Sequence, residues 1–222
     1  MHFYMLSKKK GNRIEGGNMK NLYYVADPMC SWCWGFHPIL TQVKEVLPDD
    51  VSLIYVMGGL ARDSDEPMSE EVKGYVKNAW RQVTAETGAS FNWDFWEVCQ
   101  ARRSTYPACR AFYAAKAQGQ EPGVLMFEAI QRAYYKEARN PSDDETLIAV
   151  ADEIGLDADR FARDLNSEAI ETQMQDGFNV RRSLNANEFP SLVMQDGDQV
   201  QFLVRGYDVL EGVLQKLQTA RR

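Results

Sequence analysis

At 222 residues, 45% hydrophobic and 26% charged, the chain is long enough to bury one sizeable core without covalent staples. Four cysteines do not make a disulfide scaffold at this length, so their placement is expected to reflect chemistry more than support. A formal net charge of −7 and the lack of a basic stripe argue against a nucleic-acid partner, and no stretch approaches the roughly twenty apolar residues of a membrane span.

Residues 1–18, MHFYMLSKKKGNRIEGGN, carry three lysines at Lys8 to Lys10 that resemble the start of a signal peptide, but a polar, glycine-rich segment follows instead of an apolar one. Met19 is therefore the expected first residue of the fold. The preceding residues read as a disordered leader from an upstream start or an added extension, and a reducing cytoplasm is the expected compartment.

LYYVA, Leu22 to Ala26, is short, apolar and rich in aromatic and β-branched types, which predicts a buried strand ended by Asp27-Pro28. Two cysteines follow, Cys30 and Cys33, with only Ser31 and Trp32 between them. Downstream, Ile39, Leu40, Val43, Val46 and Leu47 recur at helical spacing until LPDD stops the helix. VSLIYVM, Val51 to Met57, then alternates like a second strand and ends at Gly58-Gly59. The order is that of a βαβ unit with the dithiol at the N-terminus of its crossover helix.

Two thiols at this spacing bind a metal, close a structural disulfide or exchange electrons. Zinc needs two further soft or imidazole ligands; Cys99 and Cys109 have nine residues between them, and the only histidines are His2 and His37, so no metal is expected. A structural bridge gains least from a two-residue loop. Redox exchange therefore leads. Unpaired N–H groups at the helix start favour a thiolate at Cys30, and Cys33, one turn in, is placed to resolve a mixed disulfide formed there. Asp27 opposes that thiolate if it is ionised and close.

Between residues 61 and 186 the strand pattern is replaced by apolar residues at three- and four-residue spacing, with Ser142 and Glu145 as a capping box and Gly119 and Gly155 as helix stops. Strand character returns in FPSLVMQDGDQVQFLVRG, a hairpin around Asp196-Gly197-Asp198, and YDVLEGVLQKLQ closes the chain as a helix.

Strand, C-x-x-C helix, strand, long helical insertion, Phe-Pro-led hairpin and final helix together resemble a DsbA-like thioredoxin fold, from about Met19 to Arg222. Ala26-Asp27-Pro28-Met29, CSWCWGF and YPACRAF are similar to the FrnE-like branch, described as disulfide isomerases. The resemblance implies an α/β fold with a thioredoxin-like core from residues 19–60 and 187–222 and an all-helical insertion over residues 61–186. It also implies that Pro190 is a cis-proline lying against the dithiol with Phe189 before it, where residues alone allow an ordinary strand-start proline. Cys109 is placed by it near the groove beside the dithiol, with Arg110 offering charge to an acidic ligand.

Trp32 and Trp34 are expected either to rim a substrate site or to pack as core, with Trp32 the substrate-binding candidate. His37, four residues beyond Cys33, suggests proton transfer, though a hydrogen-bonded, partly buried histidine is the commoner fate. Cys99 is expected to pack among Trp93, Phe95 and Trp96 as a free thiol.

The expected activity is thiol-disulfide exchange with a protein or low-molecular-weight disulfide, needing no metal or organic cofactor, with glutathione as an optional co-substrate. Glutathione-dependent transferases and isomerases of the kappa and hydroxychromene-carboxylate type share the inserted fold but generally lack the paired cysteines. A non-catalytic redox sensor or holdase is the third alternative.

Overall fold

In the computed structural model, which describes residues 19–220, four strands form one sheet in the order β2-β1-β3-β4. β1 (Lys20–Ala26) pairs in parallel with β2 (Val51–Met57), joined through α1 (Ser31–Val46). On its other side β1 pairs antiparallel with β3 (Ser191–Asp196), which pairs antiparallel with β4 (Gln199–Arg205). The central position of β1 explains its apolar character, because a strand paired on both edges and covered on both faces has no side for water. Alternation divides its side chains: Leu22, Tyr24 and Ala26 enter the main core, whereas Val25 joins Val56, Val193, Leu184 and Ala186 on the opposite face.

Between β2 and β3 the chain forms α2 (Glu70–Thr87), a short α3 (Phe95–Val98), α4 (Tyr106–Lys116), α5 (Gln120–Lys136), α6 (Asp144–Glu153), α7 (Ala158–Leu165) and α8 (Glu168–Ser183). Among the described residues no strand interrupts this run, although Pro67 and Arg102 make an isolated antiparallel bridge. α9 (Leu210–Thr219) packs against α1 and β4. The main core is continuous from the sheet into the helices, with the Tyr24 ring against Phe127 and the Tyr55 ring against both Phe112 and Phe127 across the boundary. Burial of such aromatic rings anchors the helical layer on the sheet more strongly than any surface ion pair would.

Trp80 of α2 is fully buried and stacks on Phe91 at 4.8 Å, with Trp96, Tyr134 and Tyr135 around it. This cluster fixes α2 in front of the N-terminus of α1. Helix starts follow the expected capping chemistry at α2 and α8, where Ser69 and Ser167 accept from the N–H groups of Val72 and Ile170. The capping box at Ser142 and Glu145 does not form. Asp143 is the cap residue of α6, and the Ser142 hydroxyl donates instead to the Ser104 carbonyl at 2.7 Å, because its burial against the preceding loop requires a partner there. Residues 1–18, including the expected leader, lie outside the described residues, as do residues 221–222. No helix among the described residues is long and apolar enough to cross a membrane.

Candidate active site

Pro28 ends β1 and the chain turns through Met29 into α1, with the Cys30 N–H bonded to the Asp27 carbonyl at 3.0 Å. Cys30 is the cap residue of α1 in extended conformation; its carbonyl accepts from Trp34 N–H at 3.1 Å, while its side chain makes no cap bond. No acidic side chain occupies the first turn, so the electropositive helix end is left to the sulfur. Cys30 is 6% exposed and Cys33 is fully buried, and all four cysteines are free thiols. Burial pushes the Cys33 thiol well above its ordinary range, and the adjacent Cys30 sulfur pushes it further.

The Phe189-Pro190 bond is cis, and it turns the Phe189 carbonyl toward the dithiol, where Cys30 Sγ donates to it at 3.7 Å. The dithiol therefore faces the backbone of the Phe189-Pro190 turn. Beside Cys30 opens a groove of about 330 Å³ between the start of α1, α2 and the Phe189 loop. Trp32 and Phe189 line it, together with Tyr75, Gln82 and Arg103. Trp32 leans on Tyr207 with centroids 5.4 Å apart. The two tryptophans thus separate, since Trp34 stacks on Tyr135 at 5.6 Å and donates its indole N–H to the Ser90 carbonyl at 3.2 Å.

Asp27 is wholly buried beneath this turn. Its carboxyl accepts from Met29 N–H, Leu60 N–H and the Thr105 hydroxyl, each at 2.8 Å, and from the Cys109 thiol at 3.6 Å. Burial raises its pKa above the ordinary carboxylate value, and these donors pull it part of the way back. Asp27 ties the end of β1 to the β2 loop and to α4. The sequence marks Asp27 as a strand end and as a charge near the dithiol, but not as a buried connector.

Two expectations require correction. Cys109 does not face the groove: it is fully buried behind Asp27, because its face of α4 packs onto the end of the sheet. Arg110 is turned away from the dithiol and forms a bidentate pair with Asp63, 2.6 and 2.9 Å, with Glu171 at 3.4 Å, so its charge is already engaged. Cys99 is a free thiol, half-buried against the core that also holds Phe95 and Trp96, and it donates to the Ala138 carbonyl at 3.0 Å. The His37 ring stacks on Trp34 at 6.2 Å, and burial lowers its pKa. No hydrogen bond links it to either sulfur among the described residues. No group of three or more His, Cys, Asp or Glu side chains among the described residues is placed to hold a metal.

A dithiol at the start of the first crossover helix, faced by a cis-proline loop on the same sheet, defines a thioredoxin-fold protein of DsbA-like type. The chain belongs to the thioredoxin family: a family model described as Thioredoxin matches residues 23–215. Among solved structures it is similar to a Nitrosomonas europaea protein assigned as a disulfide isomerase, at 28% identity and TM-score 0.81, over 90% of this chain and 96% of that one. It is also similar to the cytosolic disulfide reductase DsbM of Pseudomonas aeruginosa, at 25% identity and TM-score 0.73, over 91% and 98% of the two chains. Among curated proteins it matches the ClpXP adapter protein SpxH of Bacillus subtilis, 24% identical over 173 residues, which cover 77% of this chain and 56% of that protein. The match thus spans little more than half of that relative's length.

Proposed function

We propose that Cys30 and Cys33 form a redox couple that exchanges electrons with a disulfide-bearing substrate. The observation that carries this is the arrangement of the two sulfurs: Cys30 at the groove and at the helix N-terminus, with Cys33 buried immediately behind it. In the reductive direction the Cys30 thiolate attacks one sulfur of the substrate disulfide, and the other sulfur leaves as a thiolate that takes up a proton. Cys33, deprotonated, then attacks the Cys30 sulfur of the mixed disulfide, forming the Cys30–Cys33 disulfide and releasing the second substrate thiol. Two electrons pass from the dithiol to the substrate, and a low-molecular-weight thiol such as glutathione returns the pair to its reduced form. Reversal of the same steps donates a disulfide.

Trp32 and Phe189 form the substrate-binding rim, with Pro190 buried next to Phe189 in the chain and the Phe189 backbone offered to an extended segment. In a cytoplasmic setting, where ambient thiols keep such couples reduced, the reductive direction dominates. The similarity to DsbM, named a cytosolic disulfide reductase, supports this direction. The name carried by the curated relatives favours a second role as a proteolytic adapter, which would use the surface of the fold and leave the dithiol unemployed.

Insulin reduction by the wild type, Cys30→Ala and Cys33→Ala separates the two. Exchange chemistry predicts that Cys30→Ala is inactive and that Cys33→Ala accumulates a mixed disulfide detectable by mass spectrometry. Equal activity in all three proteins would place the chemistry elsewhere or remove it.

A further inference from the structure

Three arginines, Arg102 and Arg103 before α4 and Arg110 within it, lie in one nine-residue stretch, and their surroundings differ. Arg102 is held by Asp143 and the Ser142 carbonyl, and Arg110 by Asp63 and Glu171. Arg103, between them, has no ion pair or side-chain hydrogen bond among the described residues, and it lines the groove that contains Cys30. The remaining polar lining consists of amides and hydroxyls, notably Asn78, Gln82 and Asn187, and contains no carboxylate. In a chain of net charge −7, a reactive sulfur sharing a groove with a lone cation and no acid is a local reversal of sign.

Resting on the exchange chemistry proposed above, we infer that this groove takes a low-molecular-weight thiol or disulfide bearing a carboxylate, with Arg103 as the residue that selects the anion. A guanidinium offers a planar fork matched to a carboxylate, and the amides offer partners to a peptide-like backbone. A groove of about 330 Å³ suits a ligand of a few residues, with its sulfur at Cys30 and its carboxylate at Arg103. The partly exposed position of Arg103 limits the gain to the lower part of the range for charge-assisted bonds, on the order of tenfold in affinity.

The test uses the reduced full chain in single turnover, followed by tryptophan fluorescence, against glutathione disulfide and the uncharged bis(2-hydroxyethyl) disulfide. Each reaction converts the dithiol to its disulfide and the probe to two thiols. Arg103→Ala is expected to lower the ratio of the two second-order rate constants on the order of tenfold, and Arg103→Lys to restore part of it. An unchanged ratio, or a parallel loss with both probes, would overturn the assignment. So would a loss confined to insulin, which would make the occupant a protein.

Binding of S-methylglutathione to the Cys30→Ser variant, measured by calorimetry with and without Arg103→Ala, involves no exchange. Arg103-dependent binding to this variant, together with a wild type that turns over neither disulfide, would sustain the anion site and sink the exchange chemistry. Turnover without Arg103-dependent binding would do the reverse.

Discussion

Gly58 follows β2 directly, with its N–H bonded to the Ala26 carbonyl at 2.6 Å. A Cβ there would lie 2.5, 2.7 and 2.8 Å from three atoms of the Phe189 ring, where ordinary contact begins at 3.4 Å. Gly58→Ala must therefore push the ring outward by about 0.9 Å, the difference between 2.5 and 3.4 Å. Overpacking typically costs about 1–3 kcal/mol, and because Phe189 is only half-buried and can yield toward the groove, the low end, about 1 kcal/mol, applies. In a protein of this length that corresponds to a loss of about 2–4 °C in Tm.

The functional effect should be larger, because the displaced residue carries the carbonyl that faces Cys30. Misplacing a positioning group by about 1 Å can cost up to about a hundredfold, so a drop on the order of tenfold in insulin reduction is expected. Gly177→Ala supplies the contrast. Its Cβ would meet the buried Tyr113 hydroxyl at 1.9 Å, away from the groove lining, so it should lose more stability with little loss of turnover per folded molecule. Melting curves and insulin reduction on both variants settle the point. If Gly58→Ala turns over at the wild-type rate, or if both variants lose activity only in proportion to unfolding, the Phe189 loop does not position the substrate.

Iodoacetamide near neutral pH should modify Cys30 before Cys33, because Cys33 is fully buried and burial disfavours its thiolate; peptide mapping that finds Cys33 first would reverse the roles. Asp27 has a folded-state pKa above its unfolded one, so its contribution is fully present below the ordinary carboxylate range and is lost as pH rises through the raised value. Urea denaturation between pH 4 and 7 should therefore show the wild type losing stability relative to Asp27→Asn as pH rises, whatever fixed offset the lost hydrogen bond adds; parallel curves would refute it. Arg110→Ala should keep insulin reduction intact and lose only about 1 kcal/mol by chemical denaturation, since Asp63 and Glu171 are both more than a third exposed. Impaired exchange in that folded variant would return Arg110 to the site.

The features legible in the sequence were those set by neighbours along the chain. A buried strand ended by Asp27-Pro28, two cysteines at the start of a periodic helix and an alternating second strand identify a βαβ dithiol unit through local spacing alone. The Phe-Pro pair before the hairpin needed the family resemblance as well, because a cis bond leaves no reliable mark on composition. Tertiary packing decided what the polar residues face. Cys109 went behind Asp27, and Arg110 went to Asp63 and Glu171, leaving Arg103 as the arginine of that segment in the groove with Cys30. Periodicity marks α4 as a helix, but the partners of Cys109 and Arg110 come from the segments that follow β1 and β2 and from α8, brought there by the way the helical layer folds back on the sheet. Whether a charge is already neutralised depends on those distant partners, and no local pattern carries that information.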